Sequence, residues 1–150
     1  MVTGGGEWVA NRGKFRFEDL VVGAEFHHPY TVSAEVYQQF TALFGDVSPL
    51  HVDDVTARSC GFSERLVHGA VLNGFISNFI GMHFPGRRSL ELEVAIEYCK
   101  PTYVGDKLLL RATVKERLEA LAVATLKFTF SRGSDVVARG KVRVMICDIP

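Results

Sequence analysis

Gly69-Ala70-Val71-Leu72-Asn73-Gly74-Phe75-Ile76-Ser77-Asn78-Phe79-Ile80-Gly81-Met82-His83-Phe84 is the stretch on which the fold turns. Apolar pairs (Val71/Leu72, Phe75/Ile76, Phe79/Ile80) recur at helical spacing, and no charged side chain occurs from 69 to 82. A helix lying on a protein surface carries charge on its outer face. This one carries none, so the pattern predicts a helix over 69–84 enclosed on nearly all sides. Between the apolar pairs runs a row of small and polar residues, Gly69, Asn73, Ser77 and Gly81, flanked by Ala70, Gly74 and Asn78. Such a stripe lets another backbone or a ligand approach closely.

Beyond Pro85-Gly86 the period changes from helix to strand. Leu90, Leu92, Val94, Ile96 and Tyr98 alternate with Glu91, Glu93, Ala95 and Glu97, which predicts a strand with those five larger apolar side chains on one face. Leu108, Leu110, Ala112 and Val114 alternate again, as do Ala124, Leu126, Phe128 and Phe130, with turns at Pro101 to Asp106 and at Gly133-Ser134-Asp135. The last strand sets Ala138, Gly140, Val142, Val144 and Ile146 on one face, and Arg139, Lys141 and Arg143 on the other. Small residues at 138 and 140 leave space for something thick against the sheet. Upstream, residues 24–32 read as a strand. Ser33 then caps a helix with the apolar face Val36, Tyr37, Phe40, Leu43 and Phe44 and an end at Gly45; a short helix over 53–59 closes at Gly61. Consecutive strands with short links make an antiparallel sheet with one wet face. Its dry face needs a cover, and 69–84 is the segment apolar enough to supply it. The expected fold is therefore α+β, a single hot-dog domain in which a curved antiparallel β-sheet wraps a long central helix.

The 150 residues are 47% hydrophobic and 23% charged, with 17 basic and 17 acidic side chains. That balance suits one folded domain and offers no global field to attract nucleic acid or an anionic membrane. There is no basic stripe with stacking aromatics, and no run approaches the roughly 18 apolar residues of a membrane span. Residues 1–14, which open Met1-Val2-Thr3-Gly4-Gly5-Gly6, read as a flexible arm without an export signal, ahead of a domain over 15–150. Cys60, Cys99 and Cys147 are odd in number and lack Cys-x-x-Cys spacing. They read as reduced core thiols of a cytoplasmic or organellar-matrix protein.

Chemistry concentrates in two stretches ahead of the helix. Gly45-Asp46-Val47-Ser48-Pro49-Leu50-His51 places an acid and an imidazole at the ends of a proline-kinked loop, and Val67-His68-Gly69 leads into the helix. Taken singly, Asp46 is a turn aspartate and His51 a loop histidine. Two further stretches stand in order with them: Phe17-x-x-Leu20-x-x-Gly23 before, and Tyr98-x-x-Pro101-x-x-x-Gly105-Asp106 after. With Asp53 closing the loop and Arg65-Leu66 preceding Val67, the chain over roughly 17–147 resembles the MaoC-like, (R)-specific enoyl-CoA hydratase branch of the hot-dog superfamily. The resemblance implies hydration of a trans-2-enoyl thioester of CoA or acyl-carrier protein, or the reverse dehydration. It makes Asp46 and His51 the catalytic pair and Gly69 the donor of a backbone N–H to the thioester oxygen. It also implies a tunnel at or near a homodimer interface, and the exposed strand edge of a lone hot-dog unit points to the same dimer. Ser77 stands where the family often has serine. Ser48 stands where it commonly has asparagine, and keeps a hydrogen-bonding group without the amide's second donor.

The residues fit what that reaction needs. A neutral imidazole at His51 can accept a proton from water, and a carboxylate at Asp46 can hold the same water from its other side. The first N–H groups of the helix lack intrahelical partners and sit at its positive pole, while glycine at 69 keeps a Cβ out of the way of an approaching carbonyl. Ser77 lies about 12 Å further up the helix axis, so Ser48, Asn73 and Ser77 are expected to bind or orient substrate and not to do chemistry. His68 is expected to hold the backbone where the chain enters the helix. No metal or organic cofactor is called for, since a set of His51, Asp53 and His68 fits no established zinc spacing. Arg87, Arg88, Lys100 and Arg139 are candidates for coenzyme A phosphates, against the plainer reading of solvated surface charge. Two rivals stand beside the hydratase: a hot-dog thioesterase, and a non-catalytic acyl-binding hot-dog subunit.

Overall fold

The computed structural model describes residues 14–86 and 88–147; apart from Lys14, the expected arm lies outside them, as does Arg87. Five strands, β1 (Glu25–Thr31), β2 (Ser89–Tyr98), β3 (Lys107–Leu118), β4 (Val123–Arg132) and β5 (Asp135–Ile146), form one antiparallel sheet in the order β1-β3-β4-β5-β2. Four α-helices lie among the described residues: α1 (Ala34–Phe44), α2 (Pro49–Val52), α3 (Asp54–Ser59) and α4 (Ala70–Met82). This is the hot-dog arrangement, with α4 as its central helix.

The core follows the alternation. Leu108, Leu110, Ala112 and Val114 of β3, Ala124, Leu126, Phe128 and Phe130 of β4, and Ala138, Val142, Val144 and Ile146 of β5 are all buried. Helix α4 lays Val71, Leu72, Ile76, Phe79 and Ile80 against them in one continuous apolar cluster. Burying those five side chains contributes on the order of 10 kcal/mol before the entropy of ordering them is set against it. Gly140 is small for a different reason than expected. A Cβ there would fall on the Ala95 carbonyl of the neighbouring strand, with the Phe128 ring 2.8 Å away. The space is filled by the sheet itself.

Four other expectations change. Helix α4 is not enclosed all round: Ala70, Asn73, Gly74, Ser77 and Asn78 are exposed, because the sheet covers one side and leaves the small-and-polar row open. In β2 the register shifts between Glu91 and Glu93, which pair with the successive residues Val144 and Arg143. Leu92 is the extra residue of this bulge, so Val94, Ile96 and Tyr98 face inward opposite Val142, Gly140 and Ala138 while Leu90 turns away. Period alone cannot reveal an inserted residue. The cysteines are not core thiols, for Cys60 and Cys99 are exposed and Cys147 is half-buried. Finally, Leu43 and Phe44 close the apolar face of α1 yet stand exposed.

The connection from β2 to β3 crosses the sheet, because these strands lie on opposite sides of it. It is pinned on the way. Thr102 O accepts from Val67 N (2.8 Å), Gly105 N donates to Val32 O (2.7 Å), and Arg132 reaches Asp106 Oδ2 (2.7 Å) and Pro101 O. The start of α4 is thereby fixed to the sheet.

Candidate active site

Helix α1 begins where Ser33 Oγ accepts from Val36 N and ends at Gly45, whose positive φ (65°) reverses the chain. Asp46 follows directly. Its Oδ1 accepts from Ser48 N (3.2 Å), an Asx turn that aims the carboxylate while leaving it half exposed. Pro49 then starts a single helical turn, α2, where a loop was expected; the fixed φ of proline suits the first helical position. His51 is in that turn.

Each histidine is held by a backbone carbonyl. His51 Nδ1 lies 2.8 Å from Leu66 O, so in the neutral ring Nδ1 carries the proton and Nε2 keeps its lone pair. Leu66 is fixed in turn by its N–H to Leu50 O (2.8 Å), and the Tyr37 hydroxyl donates to His51 O (2.6 Å). His68 is 3% exposed; its Nε2 lies 2.8 Å from Asp46 O and 3.7 Å from Asp46 Oδ2. The two imidazoles stack with centroids 3.9 Å apart, and Phe40 backs His68 at 4.9 Å. His68 thus holds the backbone of Asp46 and packs on the ring of His51; its bond is to the Asp46 loop and not, as expected, to the backbone at the helix entry.

Asp46, His51 and His68 each bring a potential ligand atom within 4.8 Å of the others. Two of their nitrogens are already engaged, His51 Nδ1 by Leu66 O and His68 Nε2 by Asp46 O. Asp53, the third residue weighed for a metal, belongs elsewhere. It caps α3, accepting from Val55 N and Thr56 N (3.1 Å each), and the Thr56 and Val55 bonds hold its carboxyl below the usual range.

Gly69 follows His68 immediately and starts the helix with helical dihedrals. Its N–H and that of Ala70 have no acceptor among the described residues, whereas Val71 N and Leu72 N already bond back to His68 O and Gly69 O. Two free donors at the positive end of a 13-residue helix therefore lie one residue from the ring that touches both Asp46 and His51. Glycine at 69 also makes room for a neighbour that the sequence did not suggest. A Cβ there would sit 2.9 Å from Cζ of Tyr98.

From this point a cleft of about 880 Å³ runs between α1 and α4. Val36, Phe40, Leu43, Phe44 and Phe75 give it an apolar lining, and Asn73, Ser77 and Asn78 give it one polar wall. Two of the three expected substrate contacts, Asn73 and Ser77, are thus together in the cleft, while Ser48 stays on the exposed loop. Tyr30 flanks the cleft, stacked on Phe75 (4.5 Å) and donating to Asn78 Oδ1 (2.8 Å). Burial raises the pKa of its phenol. Of the candidates for a coenzyme's phosphates, Arg139 is engaged by Glu97 and Lys100 by Asp135; Arg88 is exposed. Tyr37 and Tyr98 are what sequence reading missed. The available signal was a hydroxyl in stripes otherwise filled by Val, Ile, Leu and Phe.

The chain matches the family model of the MaoC like domain over residues 18–129. It is 28% identical over 130 residues to the (R)-specific enoyl-CoA hydratase of Rhodospirillum rubrum, covering 87% of this chain and 90% of that protein. A mitochondrial 3-hydroxyacyl-[acyl-carrier-protein] dehydratase of Arabidopsis thaliana is 32% identical over 90 residues, 60% of this chain and 53% of the relative. Among solved structures, the (R)-hydratase from A. caviae superposes with a TM-score of 0.79 at 28% identity, covering 86% of this chain and 98% of the other.

Proposed function

The chain belongs to the MaoC-like domain family, and we propose that it is a hydro-lyase that adds water across trans-2-enoyl thioesters to give (R)-3-hydroxyacyl thioesters, and that runs the reverse dehydration. The observation that carries this reading is the pairing of Asp46 with a His51 whose Nδ1 is committed to Leu66 O. Nε2 is thereby free to take a proton, and its ring stacks on His68, the residue next to Gly69 in the chain. A water between the Asp46 carboxylate and His51 Nε2 loses its proton to the pair as its oxygen bonds to C3. The electron pair of the C2–C3 bond moves toward the thioester, and the charge arriving on its oxygen meets the N–H groups of Gly69 and Ala70. The proton is then delivered to C2, so that the elements of water are added and nothing else is consumed. Each proton-transfer role is worth about 10²–10⁴ in rate, and an oxyanion donor roughly 3–4 kcal/mol.

The acyl chain fits the α1–α4 cleft, with Asn73 and Ser77 along one wall. CoA and carrier-protein thioesters present the same reacting atoms, and the relatives include both kinds. The protein works as a homodimer in this reading. Incubation with crotonyl-CoA is the test: enoyl absorbance should fall without release of free thiol, and the product should be the (R) enantiomer. Release of thiol would assign a thioesterase instead. No turnover of any enoyl thioester by a stable dimer would assign a non-catalytic acyl-binding subunit.

A further inference from the structure

Tyr98 is the last residue of β2 and faces inward, opposite the buried Ala138. Its ring lies across the first turn of α4. Cζ, Cε1 and Cε2 stand 2.9, 3.0 and 3.2 Å from where a Cβ on Gly69 would be, so the hydroxyl end of the ring is packed on the Gly69 backbone. One turn further along the helix is Asn73, which lines the cleft. Even so, the side chain is 49% exposed. An aromatic plate therefore stands against the Gly69 backbone, with about half of the residue open to solvent.

We propose that Tyr98 sets specificity by excluding 2-enoyl thioesters that carry a substituent at C2. This rests on the hydratase reading, in which the thioester oxygen is held by the Gly69 N–H. C2 is bonded to the carbonyl carbon, so a methyl group on it stays within about 4 Å of that oxygen in either planar conformer. On the Tyr98 side this volume is occupied by the ring. A straight chain departs from C3, one bond further away, and is free to enter the cleft between α1 and α4.

The test compares kcat/KM for crotonyl-CoA with that for its 2-methyl analogue, tiglyl-CoA, in the wild type, Tyr98→Phe and Tyr98→Leu. The difference in intrinsic reactivity between the two substrates cancels when their ratio is compared between proteins. The wild type is expected to favour crotonyl-CoA by about 10–200-fold, the range a single misplaced methyl group commands. Tyr98→Phe keeps the ring and should keep the ratio. Tyr98→Leu should narrow it by at least about 10-fold, through a gain on tiglyl-CoA relative to crotonyl-CoA. An unchanged ratio in Tyr98→Leu, with crotonyl-CoA still hydrated, overturns this proposal and leaves the hydratase reading standing. So does a wild type that hydrates both substrates equally well, a measurement independent of whether the leucine variant folds. Failure of the wild type to hydrate either substrate overturns the hydratase reading and this proposal with it.

Discussion

At the scale of single residues, the site divides into groups that meet the water and groups that hold those in place. Asp46→Asn and His51→Ala remove the first kind. Each is expected to lower kcat by about 10²–10⁴; Asp46→Asn should leave the denaturant midpoint near wild type, while His51→Ala strips Leu66 O of its donor and should lower stability by about 1 kcal/mol. His68→Ala removes the second kind. It leaves a cavity under the His51 ring and strips Asp46 O of its donor, so a loss of about 2–4 kcal/mol in stability is expected. Urea denaturation beside turnover separates the two. A His68→Ala protein of normal stability with selectively lost activity would mean that the wrong histidine was chosen as the base. Asp46, His51 and Gly69 stand out in the sequence only through the resemblance carried by several motifs in order, since each residue type taken singly is ambiguous. The Leu66 carbonyl that fixes the His51 tautomer does not stand out, since a backbone acceptor has no signature in residue identity. The same holds for the plate over Gly69: a tyrosine at the end of an apolar strand face reads as core until α4 is placed against it.

At the scale of elements, alternation was a sound guide wherever a strand had neighbours on both sides. The inward sets of β3, β4 and β5 are buried as their period predicts. It failed at the edge strand β2, where the bulge at Leu92 reverses the facing of Leu90 and puts Glu91 opposite the buried Val144. Burial accordingly raises the Glu91 pKa. Close contact between β2 and β5 also makes Gly140 a demanding position. Gly140→Ala drives a methyl group into the Ala95 backbone, which is not a flexible side-chain end, and should cost about 3 kcal/mol or abolish folding, read from the urea midpoint. In the cleft, Phe75 is braced by the Tyr30 ring. Phe75→Ala is expected to raise kcat/KM for long enoyl-CoA esters relative to crotonyl-CoA. A chain-length profile identical to wild type would show that the acyl chain does not run past this residue.

At the scale of the whole molecule, surface ion pairs and sheet edges determine how the fold responds to acid and to a second copy of itself. Asp53, Glu97 and Asp135 all have carboxyl pKa values held low, by the Thr56 and Val55 bonds, by Arg139 and by Lys100 respectively. Groups depressed in the folded state contribute stability above their unfolded values of about 4, and lose it as pH falls through the folded pKa. Glu91 runs the other way: its raised pKa opposes folding above that range, so protonating it in acid relieves a penalty. The urea midpoint should therefore fall between pH 5 and pH 3, more gently in Glu97→Gln, where one of the three contributions is absent. The two edges of the sheet are unlike. β1 carries Pro29, which lacks an N–H and blunts an edge, whereas β2 has no proline and runs in regular register from Glu93 to Tyr98. On β2, Leu90 and Leu92 are each nearly half exposed. Pairing β2 with β2 of a second copy would cover this edge and bring the two α4 helices together. Leu90→Glu with Leu92→Glu should then convert a dimer to a monomer in sedimentation, with loss of turnover and an unchanged circular dichroism spectrum, because both positions lie outside the protomer's core. A double variant that stays dimeric and active would place the interface elsewhere, and would leave the bulge to serve only the edge it interrupts.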